Sequence, residues 1–168
     1  MRAIAVALLL FLALFSRPAD AFLGGADGDR YYVIKASSIE LDADNSNNAT
    51  SVAFAFGQYL GDRRVAASET EIGITLSSGD TADSGLLGSG SRADWELLHL
   101  GSFVSFQSLG TVRVKGKLGF AFTQLDVGNR TEQDFGAGVG VAGIFGPVEV
   151  ELTQLGSDFT QFSVGFRF

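Results

Sequence analysis

The chain has 168 residues, a formal charge of −7, 22 glycines, 15 phenylalanines and no cysteine. That length makes a single domain the expectation, and the acidic balance disfavours nucleic acid, whose phosphates need basic surface. The missing cysteines exclude disulfides, thiolate metal sites, a cysteine nucleophile and a lipid-attachment cysteine. Glycine at this level would suggest disorder, but 46% hydrophobic content argues for a folded chain.

Residues 1–21 have the pattern of a secretory leader. Arg2 precedes the apolar run Ala3 to Phe15, Pro18 breaks the helix, and Ala19-Asp20-Ala21 has the small-x-small form of a cleavage site. The run is shorter than the roughly 20 apolar residues a membrane-spanning helix needs. Cleavage after Ala21 is expected, leaving 22–168 as one exported domain.

From residue 30 onward the apolar period is two rather than 3.6. A strand is expected over 30–41, with its register unfixed. Val52, Phe54 and Phe56 then alternate with Ala53, Ala55 and Gly57, and Ile72, Ile74 and Leu76 with Glu71, Gly73 and Thr75. In 94–107 Leu98, Leu100, Val104 and Phe106 form the apolar face, opposite His99 and Phe103. The clearest case is 112–122, where Val112, Val114, Leu118, Phe120 and Phe122 oppose Arg113, Lys115, Lys117, Gly119 and Ala121. A strand over 135–145 follows. Val148, Val150 and Leu152 then alternate with Glu149, Glu151 and Thr153, and Phe162, Val164, Phe166 and Phe168 with Gln161, Ser163, Gly165 and Arg167. Together these make about eight strands, an even number at the low end for transmembrane barrels.

The connections alternate in length. Gly61 to Arg64, Ser108 to Thr111 and Gly146-Pro147 read as tight turns, whereas 42–50, 78–93 and 126–134 read as long polar loops. Transmembrane barrels sort their connections this way, with short periplasmic turns and longer extracellular loops.

The large apolar residues share one face, while glycine, alanine and charge occupy the other. With phenylalanine inward, whole strands would show water only small residues. With phenylalanine outward in lipid, the small and charged residues fill a narrow interior, as a small barrel requires. The predicted fold is therefore an all-β, antiparallel up-and-down transmembrane barrel of eight strands in the outer membrane of a Gram-negative bacterium.

Gly57-Gln58-Tyr59-Leu60-Gly61-Asp62 followed by Glu69 and Glu71, then Val114 to Gly119, then Ser163 to Phe168 resemble the small OmpA/OmpX-like outer-membrane barrels over most of the mature chain. The resemblance implies eight strands with both ends in the periplasm. It also gives Phe162, Val164, Phe166 and Phe168 the form of the terminal signal read by the machinery that inserts such barrels.

On these faces Glu69, Glu71, Glu149 and Glu151 point into the lumen with Arg113, Lys115, Lys117 and Arg167. An unpaired buried charge costs several kcal/mol, so the eight are expected to pair as a structural plug. A polar path for small solutes is the competing reading.

Other motifs carry less. Gly138 to Gly143 spells the dinucleotide-binding pattern but lies within a strand and precedes Gly146-Pro147 rather than a helix, so no nucleotide site is expected. His99, the single histidine, could serve a lipid A-modifying enzyme only with a nucleophile about 3 Å away, such as the lumenal Ser105; Ser102 faces lipid. Asp42, Asp44, Asp80 and Asp83 lack the glycine and distal glutamate of a calcium loop. No catalytic residue, cofactor or metal is assigned. The reading is a non-enzymatic outer-membrane protein with a structural or surface-interaction role, whose partners are membrane lipid, lipopolysaccharide and the insertion machinery. A narrow pore and an enzyme using His99 are the alternatives, and oligomeric state is left open.

Overall fold

The computed structural model describes residues 30–42, 47–61, 63–77, 79–81, 93–128 and 130–168. The leader and its cleavage site lie outside them, as do Asp44 and Asp83. Nine strand segments follow one another: β1 (Arg30–Leu41), β2 (Ala49–Leu60), β3 (Ala66–Ser77), β4 (Gly79–Thr81), β5 (Ala93–Gln107), β6 (Val112–Val127), β7 (Arg130–Phe145), β8 (Val148–Leu155) and β9 (Phe159–Arg167). The short β4 continues β3 along the same neighbour, since both pair with β5. The wall therefore has eight strands, each antiparallel to the next, and β3–β5 and β1–β9 pairing leaves the sheet without a free side.

The two faces are those expected from the alternation. Val112, Val114, Leu118, Phe120, Val139, Val141, Phe162, Val164, Phe166 and Phe168 are exposed on the outside, while Glu69, Glu71, Lys115, Lys117, Glu149, Glu151 and Gln161 are buried within. Water would make such an exterior costly, at about 25 cal/mol per Å² of apolar surface; lipid removes that cost. On β6 the apolar band runs from Val112 to Phe122 and gives way to Gln124, matching the 9–11 residues a tilted strand needs to cross a bilayer. Polar residues begin at the same level on β7 with Gln133, which pairs with Gln124, and two residues further out on β5 with Glu96, which pairs with Asp126.

Glycines on the inner face make room for large lumenal neighbours. Gly57 lies opposite Tyr31, and a Cβ on it would fall 2.0 Å from Tyr31 Cζ. Gly119 approaches β5 so closely that its Cβ would sit 2.0 Å from the Ser102 carbonyl oxygen.

The strand over 30–41 now has a register, with Tyr31, Val33, Lys35, Ser37, Ile39 and Leu41 inward. Two connections are corrected. Residues 79–81 of the expected 78–93 loop form β4, which pairs with the start of β5. Residues 126–134 are not a long loop: β6 continues to Val127, which pairs with Arg130 at the start of β7. Beyond the bilayer a strand has no reason to keep an apolar outer face, so the alternation that marks it inside the membrane fades. The resulting 16-residue strands β6 and β7 stand well above the 8-residue β8, whose pairing with β7 ends at Gly138. Arg30 and Phe168 lie at the opposite, short-turn end. By the usual sorting of barrel connections, the projecting hairpin faces outward while Arg30 and Phe168 face the periplasm.

Candidate functional site: the filled lumen

Several strands carry a gradient along the inner face. From the periplasmic end, β8 places Glu149, Glu151, Thr153 and Leu155 inside, and β6 places Lys115 and Lys117 before Thr123, Leu125 and Val127. β5 runs from Gln107 and Ser105 through Phe103 and His99 to Leu97 and Trp95. The lumen is charged at its base, polar but uncharged in its middle, and apolar at its outer mouth.

The base is an ion-pair lattice. Lys35 Nζ lies 2.6 Å from both Glu71 and Glu151. Lys115 reaches Glu69 at 3.0 Å and Glu151 at 2.9 Å and also pairs with Glu149. Lys117 bridges Glu71 at 2.9 Å and Glu151 at 2.7 Å, and its ammonium lies 4.3 Å from the centre of the Phe103 ring. Arg167 meets Glu149 at 3.1 Å, donates to the Tyr59 hydroxyl at 2.7 Å and lies over the Tyr31 ring. Tyr31 in turn donates its hydroxyl proton to Glu69 at 2.6 Å. Four glutamates face three lysines and one arginine, so the lattice is formally neutral. Each ammonium bridges two or more carboxylates, the arrangement by which a dry interior tolerates charge.

Seven of the eight residues expected in this network enter it. Arg113 does not: it is half-buried at the periplasmic rim, and among the described residues it forms no ion pair. Lys35 takes its place. Sequence reasoning missed Lys35 because β1 has apolar residues on both faces, Tyr31 and Val33 inside and Tyr32 and Ile34 outside. A signal was available. Arg113 is only the second residue of its strand, and Lys35 is the remaining base in the middle of one.

Above the lattice, Gln161 donates to Ser37 at 2.9 Å and Ser37 to Ser163 at 3.1 Å, while Thr75 accepts the Leu97 N–H at 3.0 Å. His99 is fully buried, with Nε2 3.2 Å from Glu71 Oε1. Its partner is a carboxylate rather than a hydroxyl. Ser105 lies six residues away on the same strand, roughly 20 Å at the strand rise, too far to serve as its nucleophile. The outer mouth is filled by Ile39, Leu41, Trp95, Leu97, Leu125, Val127, Leu155 and Phe159, an apolar cluster that Phe103 extends down to the lattice.

The remaining motifs fall as their context requires. Gly138 to Gly143 lies wholly within β7, and no helix follows. Asp42 directly follows β1 and Asp80 lies in β4; among the described residues no group of three or more histidines or acids could hold a metal ion.

No protein-family model and no curated protein matches the chain. Solved structures do. Neisserial surface protein A superposes with a TM-score of 0.57 at 14% identity, covering 83% of this chain and 96% of that one. OprG from Pseudomonas aeruginosa gives 0.55 at 12%, covering 87% and 99%. The chain has the fold of a small outer-membrane barrel. Ail, the attachment invasion locus protein of Yersinia pestis, solved with the heparin analogue sucrose octasulfate, gives 0.51 at 12%, covering 83% and 96%. This outer-membrane-type barrel thus shares its architecture, not its sequence, with those proteins. Its closed wall and apolar exterior belong in an outer membrane, in contact with lipid.

Proposed function

We propose that the chain is a non-enzymatic outer-membrane barrel with a structural or surface-interaction role, exported by a leader cleaved after Ala21. The observation that carries this reading is the filling of the lumen, with paired charge at the base and an apolar cluster at the mouth. A solute path needs a continuous wet surface, and the cluster of Trp95, Leu97, Leu125 and Phe159 offers none. What remains open to a partner is the outer end, where β5, β6 and β7 rise beyond the apolar band.

Two further partners belong to the same proposal. The terminal strand, with Phe162, Val164, Phe166 and Phe168 on its outer face, is the segment the insertion machinery would read. Lipopolysaccharide would meet a rim carrying Glu40, Asp94, Glu96, Asp126 and Asp158, so its phosphates would be held through shared divalent cations.

Planar-bilayer recording on the refolded protein tests the reading. No channel activity is expected across a range of voltages. Stepwise, reproducible conductance would overturn it in favour of a narrow pore.

A further inference from the structure

The β6–β7 hairpin leaves one strand edge unpaired. Ala137 accepts the Gly156 N–H through its carbonyl at 2.9 Å, so its backbone groups point away from β6 towards β8. At a period of two, Phe135, Gln133 and Thr131 direct their N–H and C=O groups the same way. β8 has already ended, and among the described residues no strand pairs with Thr131 to Gly136 on that side. All but Gly136 of these are exposed. Such an edge is a template for another strand unless something blunts it. This one has no lysine, proline or register shift.

Its charge selects among occupants. Glu132 and Asp134 alternate on the inner face of the edge, and Asp134 overhangs the β8–β9 turn: a Cβ on Gly156 would lie 3.5 Å from its Oδ2. Below the edge are Asp158 and Asp42, joined by a backbone hydrogen bond of 2.7 Å from the Asp42 N–H to the Asp158 carbonyl. A second copy of this chain fits badly. Two-fold antiparallel pairing must centre on a residue. Centring on Glu132 or Asp134 sets a carboxylate against its own copy, and centring on Gln133 sets Glu132 against Asp134. Centring on Thr131 or Phe135 overlaps only one edge-facing residue, because Ala137 already bonds Gly156. An extended segment with two bases at alternate positions can set one against Glu132 and one against Asp134.

Building on the surface-interaction reading, we infer that the Thr131–Gly136 edge of β7 docks an extended cationic polypeptide segment as an added strand. The hydrogen bonds come from the backbone of Thr131, Gln133 and Phe135, and the selectivity from Glu132 and Asp134.

The test uses the full barrel in nanodiscs and a labelled peptide alternating lysine with threonine. A proline-interrupted peptide of equal charge and a glutamate–threonine peptide serve as comparisons, read by fluorescence polarisation. The lysine–threonine peptide should bind, the interrupted one about ten-fold more weakly, as losing one or two backbone hydrogen bonds predicts, and the glutamate peptide not at all. Gln133→Pro removes an N–H that faces the edge and not β6, and should weaken binding by a similar factor. Should that variant lose its heat-shifted gel mobility, the pair Glu132→Lys and Asp134→Lys replaces it and should reverse the preference to the glutamate peptide. Equal binding of the interrupted peptide, or no binding of the lysine–threonine peptide to a folded barrel, would overturn the inference. Either result leaves the bilayer-recording test, and the reading that rests on it, untouched.

Discussion

Phe168 and Tyr32 exchange two backbone hydrogen bonds, Tyr32 N–H to the Phe168 carbonyl at 2.8 Å and Phe168 N–H to the Tyr32 carbonyl at 3.0 Å. Their rings stack 5.9 Å apart on the outer surface. The last residue of the chain is thus the last rung of the β1–β9 seam. Deleting Phe168 removes both bonds and the stacked ring, whereas Phe168→Ala removes only the ring. Deletion should slow folding into lipid vesicles more than the alanine variant does, measured by the heat-shifted gel band over time. Equal rates for the two would place the effect in the ring alone.

Lys35 neutralises Glu71 and Glu151 from the first strand. Lys35→Met should destabilise the barrel by about 3–5 kcal/mol, because it leaves an excess buried carboxylate. Adding Glu151→Gln to Lys35→Met restores formal neutrality and should recover a large part of that loss in urea titrations of the folded protein. A double variant no better than the single would mean that packing, not charge balance, sets the cost.

The apolar band has a depth profile. On β6 it spans Val112 to Phe122, with Leu118 near its middle and Gln124 just beyond it. Leu118→Lys should cost about 2–4 kcal/mol and Gln124→Lys about 0–1 kcal/mol, following the fall from midplane to interface. Equal penalties in refolding titrations would contradict the placement of the band.

Glycine positions on the inner face differ in what they touch. At Gly73 a Cβ would press on the His99 ring, at 2.2 Å from Cε1, and a ring can turn aside. At Gly119 it would strike the Ser102 carbonyl and the Phe103 Cα, which are backbone. Overpacking costs typically 1–3 kcal/mol, so Gly119→Ala is expected at about the top of that range and Gly73→Ala towards its foot. Comparing the two midpoints of unfolding tests the order.

The fold was largely legible because a bilayer enforces the alternation that sequence reading relies on. Between Val112 and Phe122 every second residue must satisfy lipid, and the opposite set must fit a narrow lumen, so both faces could be assigned without coordinates. Legibility ended where one of those constraints ended. At Asp126 to Asp134 there is no lipid to please, and two paired strands read as a loop. In β1 both faces carry apolar residues, since the upper lumen is itself apolar around Ile39 and Leu41. Lys35 therefore had no face until Tyr32 was paired with Phe56 and Phe168. The charged lattice was legible in its acids, all four of which enter it, and less so in its bases. A glutamate beside a valine or isoleucine on a strand declares its side, but Arg113 sits where the wall meets the headgroups and a side chain can leave the lumen.

The filling of the lumen bears on how a cell could use such a protein. A hollow barrel raises the leak of an envelope with every copy inserted, so osmotic and antibiotic exposure limits its abundance. On the proposed non-conducting reading, a barrel packed from Arg167 to Trp95 would add surface and anchoring points while leaving the permeability barrier as it was. Its copy number is then bounded by the area of membrane it displaces, and a dense coat of projecting hairpins becomes compatible with a tight envelope.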